Sequence, residues 1–153
     1  MDPSTAQTYM QPEWFFPLFA VMWLAISGSL SGIGGWFSLA RTLRALEPAS
    51  GRRFRFVSGS MGAKIFPVSY GGCLFVTINS KGFGLALLFP FRFLSPPLFI
   101  PWSQVESVET RKFLFVDRTV VGIRDQWPLV SIRGAAGRCL DETYRAVRSG
   151  RAI

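Results

Sequence analysis

Residues 94–109 read LSPPLFIPWSQVESVE, and the interpretation of this stretch decides the fold of the chain. Its three prolines remove backbone donors, and lipid offers no replacement for them. Residues 82–102 overlap it and are apolar enough to suggest a second membrane span. They also contain Arg92, which at a bilayer centre costs about 2.5–3.5 kcal/mol. We therefore interpret 82–102 as two strands and a proline-rich loop, and contact of this loop with a bilayer surface stays open.

The longest uncharged stretch is WFFPLFAVMWLAISGSLSGIGGWFSLA, residues 14–40. Because about 20 apolar residues in a helix cross a bilayer, this stretch predicts one transmembrane helix. Neither Lys nor Arg precedes it, which disfavours a cleavable signal peptide and favours a retained anchor. Gly28 and Gly32 form a GxxxG pair, which is typical of helices that pack closely against another helix.

All 17 Lys and Arg residues follow position 40. Because basic residues resist translocation, this distribution predicts a single-pass protein of the inner membrane. Residues 1–13 would be a short non-cytoplasmic tail, 41–51 a basic juxtamembrane linker, and the remainder cytoplasmic. The basic residues near the predicted helix either bind anionic lipid headgroups or only enforce topology. The candidates for lipid contact among them are Arg41, Arg44, Arg52, Arg53 and Arg55.

Residues 52–150 predict a mainly-β domain that ends in a helix. Arginine and phenylalanine alternate over 53–56, which is the two-residue period of a strand. Lys81-Gly82 is typical of a hairpin, and another turn is expected at Asp117-Arg118. Apolar residues at helical spacing predict the final helix over 135–149.

Ile100, Pro101, Trp102 and Val105 belong to a pattern that resembles the "ipW-x-x-I-x-x-v" motif of pleckstrin-homology-like and GRAM-like domains. The whole layout is similar to small single-span bacterial membrane proteins of unknown function that carry such a domain. The resemblance covers about residues 53–149 and implies an antiparallel seven-stranded barrel capped by a C-terminal helix. It also implies that Lys64, at the end of the first predicted hairpin turn, contacts lipid headgroups. The expected fold class is thus one N-terminal transmembrane α-helix followed by a pleckstrin-homology-like domain.

The composition weighs against catalysis. The chain has no histidine, and its two cysteines, Cys73 and Cys139, lack metal-binding spacing. Glu106 and Glu109 are the only close carboxylate pair in a predicted strand, and a spacing of three places them on opposite faces. We expect neither enzymatic activity nor a cofactor or metal.

The expected function is a non-enzymatic, membrane-anchored module that offers a protein- or lipid-binding surface at the cytoplasmic face of the membrane. Its expected partners are anionic membrane lipids and a membrane protein, or a second copy, packed on the transmembrane helix. The net charge of +8 does not indicate a nucleic-acid partner, because the aromatic residues fall at core positions of the predicted strands. The alternative is a small accessory subunit of a larger membrane complex, which packs through the transmembrane helix.

Overall fold

The computed structural model describes residues 12–45, 50–63, 65, 67–89, 91–124 and 126–150. These residues form two helices, a seven-stranded sheet and a final helix. The elements are α1 (Pro12–Ile33), α2 (Trp36–Leu43), β1 (Arg52–Gly62), β2 (Pro67–Ile78), β3 (Gly82–Leu87), β4 (Leu98–Pro101), β5 (Val105–Phe113), β6 (Val116–Ile123), β7 (Gln126–Arg133) and α3 (Ala135–Arg148). Short 3-10 turns at Phe91–Phe93 and Trp102–Gln104 flank β4.

The sheet is antiparallel throughout, with the strand order β4-β3-β2-β1-β7-β6-β5. The strands β4 and β5 are consecutive in the chain but occupy opposite edges of the sheet. No ladder joins these two edges within the described residues, so the sheet is a curled half-barrel rather than the closed barrel that was expected. The curl places alternate side chains of each strand on the inner face, where they form the core.

The final helix packs against strands β5, β6 and β7. Leu140 is fully buried, and Ala136 and Tyr144 lie on the same side of α3. Gly137 allows the close approach: a Cβ atom there would lie 2.7 Å from the Thr119 hydroxyl oxygen and 2.8 Å from the Ile132 carbonyl oxygen. The amphipathic pattern of α3 therefore closes the inner face of these strands.

The predicted transmembrane helix over 14–40 is wrong. Among the residues that the structure describes, none of the helices has the combination of length and apolar character needed to cross a bilayer. The apolar stretch is divided instead: α1 ends at Ile33, Gly35 adopts φ 76°, and α2 begins at Trp36. The side chains of Trp36 and Leu39 have no exposed surface, because α2 packs its apolar face into the sheet.

The sequence of α1 explains the rest of this correction. The helix contains Glu13 and Pro17, and serines and glycines dilute its second half. Uncharged composition alone had suggested a span, but seven of the residues counted toward it, 34–40, belong to α2 and its preceding turn rather than to one continuous helix. The single-pass inner-membrane placement deduced from that span is therefore not supported.

Residues 94–109 form the corner between the two sheet edges. Ile100 is fully buried in β4, and Pro101 ends that strand opposite Gly82. Trp102 donates a hydrogen bond from Nε1 to the Asn79 carbonyl oxygen at 3.0 Å. Its ring packs near Tyr144, with ring centroids 5.9 Å apart. Val105 is buried at the start of β5, so the motif joins the edges and fixes α3. Residues 82–102 are sheet and loop, not a second span.

Tyr70 provides a stability prediction. Its hydroxyl is buried without a hydrogen-bond partner among the described residues, and burial raises its pKa to about 12. We expect Tyr70→Phe to increase the free energy of unfolding by about 1–2 kcal/mol, because an unsatisfied polar group is removed. Burial disfavours the charged phenolate in the folded state. The stability that this preference for the neutral form provides is therefore fully present below pH 10 and is lost as pH rises from about 10 to 12.

The two effects can be measured together by urea unfolding of wild type and Tyr70→Phe at pH 8 and pH 11. The wild type should lose more stability than the variant between these values. Equal stability at pH 8, together with equal alkaline loss, would contradict a buried and unsatisfied hydroxyl at this position.

Candidate anion-binding groove

A groove of about 520 Å³ crosses the outer face of strands β1, β2 and β3. This volume lies within the range of small-molecule sites. One wall is formed by β1, and the other by Arg92 of the 3-10 turn together with Pro97 and Leu98 where β4 begins. The lining includes three arginines, two phenylalanines and one alanine: Arg53, Arg55, Arg92, Phe56, Phe75 and Ala86.

Three arginines define the electrostatics of the groove. Arg53 and Arg55 are two residues apart on β1, which places both side chains on the outer face. Arg92 reaches the groove from the β3–β4 connection. All three are exposed, and none of them takes part in an ion pair among the described residues. The guanidinium fork matches planar or tetrahedral oxyanions, so the groove offers three positive charges to an anion.

The floor of the groove is mainly apolar, and the β3 residues that form it have short side chains or none. Gly84 pairs with Thr77 in the ladder, and Ala86 pairs with Phe75. Small residues at 84 and 86 leave space that larger side chains on β3 would fill. An apolar floor beneath arginines suits a ligand with one anionic and one apolar part.

A β-bulge shapes the rim. The register between β1 and β2 shifts between Phe54 and Val57, and again between Val57 and Gly59. At the first shift Phe56 adopts φ 56°, a left-handed conformation that costs a residue with a side chain roughly 1–2 kcal/mol. The bulge turns the Phe56 ring outward, where it is 65% exposed and lies 5.8 Å from the Phe75 ring centroid. The chain thus keeps a strained aromatic residue at the edge of the groove.

The strain gives a prediction for Phe56→Gly. Glycine adopts positive φ without a Cβ penalty, and little burial is lost, so the free energy of unfolding should stay equal or rise by up to about 1 kcal/mol. Ligand binding in the groove should weaken in the same variant. For the unfolding measurement alone, Leu114→Gly is the matched control, because Leu114 also has φ 56° and is exposed. Urea unfolding measures the first effect; a loss above 1 kcal/mol in Phe56→Gly would contradict the strained geometry.

The structure separates the basic residues that the sequence grouped together. Arg53 and Arg55 enter the groove, whereas Arg41 is exposed on α2 and Arg44 forms a backbone bridge with Leu98. Arg52 lies 5.5 Å over the Phe54 ring and donates to the Cys139 sulfur at 3.9 Å. Lys64 lies outside the described residues. Arg92 was not among the site residues expected from the sequence, where it only disfavoured a second span, and the structure adds it to the groove.

The glycines of the GxxxG pair face the chain itself. A Cβ atom on Gly28 would meet the Leu94 side chain at 3.7 Å, and one on Gly32 would meet the Phe37 ring at 3.8 Å. The second half of α1 therefore rests on the β3–β4 connection and on α2. Packing of this pair against a helix of another molecule stays a prediction.

Three of the described carboxylates are held in ion pairs. Glu109 accepts from Arg111 at 2.8 Å, Asp117 from Arg138 at 2.6 Å, and Asp141 from Arg145 at 2.9 Å. The backbone carbonyl of Glu106 lies 3.5 Å from the Tyr144 hydroxyl, which donates to it. In the described part of the chain no three acidic, cysteine or histidine side chains gather as metal ligands would.

Comparison with known proteins adds no assignment: no protein-family model matches the chain, and no curated protein matches it. The groove is therefore interpreted from its own chemistry.

Proposed function

We propose that the chain is a non-catalytic binding module whose groove holds the anionic headgroup of a lipid. The observation that carries the proposal is a set of three arginines over an apolar floor, none of which forms an ion pair with a residue that the structure describes. Arginines at a surface of anionic lipid contribute about 1 kcal/mol each. Binding without catalysis is supported by the lack of histidine in the sequence and by the ion pairs that hold Glu109, Asp117 and Asp141.

The surroundings of Arg92 favour a lipid over a small soluble anion. The neighbouring Phe91 packs on Trp23 of α1, with ring centroids 5.1 Å apart. Beyond this contact, α1 exposes large apolar side chains such as Phe16, Leu18 and Val21. An apolar surface and a cationic groove therefore meet at one connection. A bilayer surface offers both matching layers, acyl chains and anionic headgroups, without being crossed.

We also propose that the chain is pleckstrin-homology-like. The proposal is supported by seven antiparallel strands followed by one packed helix, and by the Ile-Pro-Trp-Ser corner between the sheet edges. A headgroup site on the outer face of β1 to β3 does not depend on this classification, since it is argued from the lining residues.

The test compares partition of the full chain into phosphatidylcholine vesicles and into vesicles that also contain phosphatidylglycerol. The exposed side chains of α1 bind both, so the ratio of the two partition coefficients is the readout. We expect a clear preference for phosphatidylglycerol that weakens as salt is raised. Ala86→Leu fills the groove without changing charge, and it should abolish the preference.

Two further arms separate the possible sources of the anion. Inorganic phosphate and glycerol 3-phosphate are added as competitors at fixed ionic strength. Retained vesicle preference supports a lipid ligand, whereas displacement by millimolar inorganic phosphate would reassign the groove to a free anion and overturn the proposal. An undiminished preference in Ala86→Leu would show a general surface charge effect, which also contradicts it.

A second candidate function is that of an accessory subunit that binds a protein through α1. It is favoured by the apolar side chains of α1 that nothing in the described chain covers. It does not require a helix that crosses a bilayer. Light scattering of the purified chain in mild detergent tests self-association, and Phe16→Ser with Leu18→Ser should reduce the particle to a monomer if a second copy is the partner.

A further inference from the structure

The hairpin between β5 and β6 has an unusual tip. Two residues, Leu114 and Phe115, connect the strands. Leu114 adopts φ 56° and is 79% exposed, and Phe115 is 99% exposed. Turns of this length normally use glycine or asparagine at positive φ, because these residues adopt that conformation with little strain. The positive φ of Leu114 costs stability, and neither side chain contributes to the core.

Basic side chains surround the base of the tip. Arg111 and Lys112 are exposed at the end of β5, and Arg133 is exposed at the end of β7. Arg118, at the start of β6, donates to the Ser131 hydroxyl at 2.7 Å and has no carboxylate partner among the described residues. The apolar tip therefore rises from a region with an excess of positive charge, which complements an anionic surface.

A second hollow connects the tip to the groove. It measures about 440 Å³, and its lining includes Arg55 and Phe56 from the groove rim together with Val116 and Arg133. Val116 directly follows Phe115 and is itself exposed. Basic and apolar side chains thus form a continuous strip from Arg92 across β1 to the hairpin.

From this arrangement we propose that the β5–β6 hairpin tip inserts Leu114 and Phe115 into the interfacial layer of an anionic lipid bilayer, as a second contact beside the groove. The inference rests on the proposed function for its choice of lipid. Insertion places two apolar side chains among acyl chains and leaves the guanidinium and ammonium groups at headgroup level. It also explains why the turn retains a strained leucine.

A fluorophore at the tip tests the proposal in the full chain. Leu114→Cys, in a background with Cys73→Ser and Cys139→Ser, is labelled with the environment-sensitive dye NBD. Glu142→Cys on the exposed side of α3 is the matched control. With phosphatidylglycerol-containing vesicles we expect the emission of the tip label to shift to shorter wavelength, and we expect quenching by lipids spin-labelled high on the acyl chain. The control label should do neither.

Variants of Phe115 give the magnitude. Phe115→Ser should lower the quenched fraction of the tip label roughly tenfold, since burial of a phenylalanine is lost. Phe115→Trp should retain it, because tryptophan suits the bilayer interface. Serine and tryptophan at position 115 would both be exposed in the folded chain. A merely structural role of this position therefore does not predict different quenching in the two variants.

The outcomes of the two proposals are distinguishable. A tip label that stays aqueous while wild type still prefers phosphatidylglycerol would overturn the inference and leave the groove proposal intact. A quenched tip label, together with a phosphatidylglycerol preference that does not depend on the groove, would overturn the groove proposal and leave the insertion of the tip intact. A blue shift without lipid that grows with protein concentration would assign the tip to a second copy and overturn its insertion into lipid.

Discussion

Trp36→Ala should lower the free energy of unfolding by about 3–5 kcal/mol, which is the cost of truncating a fully buried tryptophan. The side chain has no exposed surface, and its Nε1 donates to the Pro96 carbonyl oxygen at 2.9 Å. Its ring also contacts Tyr70, with ring centroids 5.9 Å apart. The substitution removes packing, opens a cavity and leaves a carbonyl without its donor. Urea unfolding followed by far-UV circular dichroism measures the loss.

Trp14→Ala is the matched control for this result. Trp14 belongs to the same apolar stretch of the sequence but is 71% exposed on α1. Its removal should change the free energy of unfolding by no more than about 0.5 kcal/mol. Equal effects of the two substitutions would mean that α2 is not part of the domain core. The division of the stretch at Gly34 and Gly35 would then be in error.

The difference between these two tryptophans shows what the sequence could not reveal. Both lie in an uncharged stretch, and composition does not tell whether an apolar residue meets lipid, protein or solvent. Gly34 and Gly35 were visible in the sequence, but they were counted inside the predicted span because glycine is also frequent in membrane helices. The partition of 14–40 between α1 and α2 depends on the tertiary contacts of Trp36 and Leu39 with the sheet.

Local patterns were informative where the period of the side chains was regular. The final helix, α3, lies at Ala135–Arg148, where its apolar spacing predicted a helix over 135–149. The turn expected at Asp117-Arg118 instead lies at Leu114-Phe115. Turn prediction relies on Gly, Asn, Asp and Pro, so a hairpin with leucine at positive φ has no sequence signal.

The groove was only half predictable for a similar reason. The alternation of Arg53 and Arg55 on a strand was visible, and it placed both on one face. Arg92 is 37 positions from Arg55, and the curl of the sheet brings it to the same groove. The bulge that exposes Phe56 depends on the pairing of β1 with both β2 and β7, which a single strand does not encode.

Replacement of the three groove arginines should produce the largest functional effect. In Arg53→Ala/Arg55→Ala/Arg92→Ala we expect the preference for phosphatidylglycerol over phosphatidylcholine to fall by up to about a hundredfold at low salt. This follows from about 1 kcal/mol for each arginine near an anionic surface. Stability should change little, because none of the three side chains is buried or paired among the described residues. Vesicle sedimentation at several salt concentrations measures the preference.

A second triple variant separates the groove from overall charge. Arg41→Ala/Lys81→Ala/Arg124→Ala removes the same number of positive charges at exposed positions outside the groove lining. Long-range attraction to an anionic surface depends on total charge and would fall equally in both variants. A headgroup held between guanidinium groups depends on position, so only the groove variant should lose most of its preference. Salt screens long-range attraction more than direct contacts, so the difference between the variants should persist near physiological ionic strength. Equal losses in both variants would exclude a specific headgroup site in the groove.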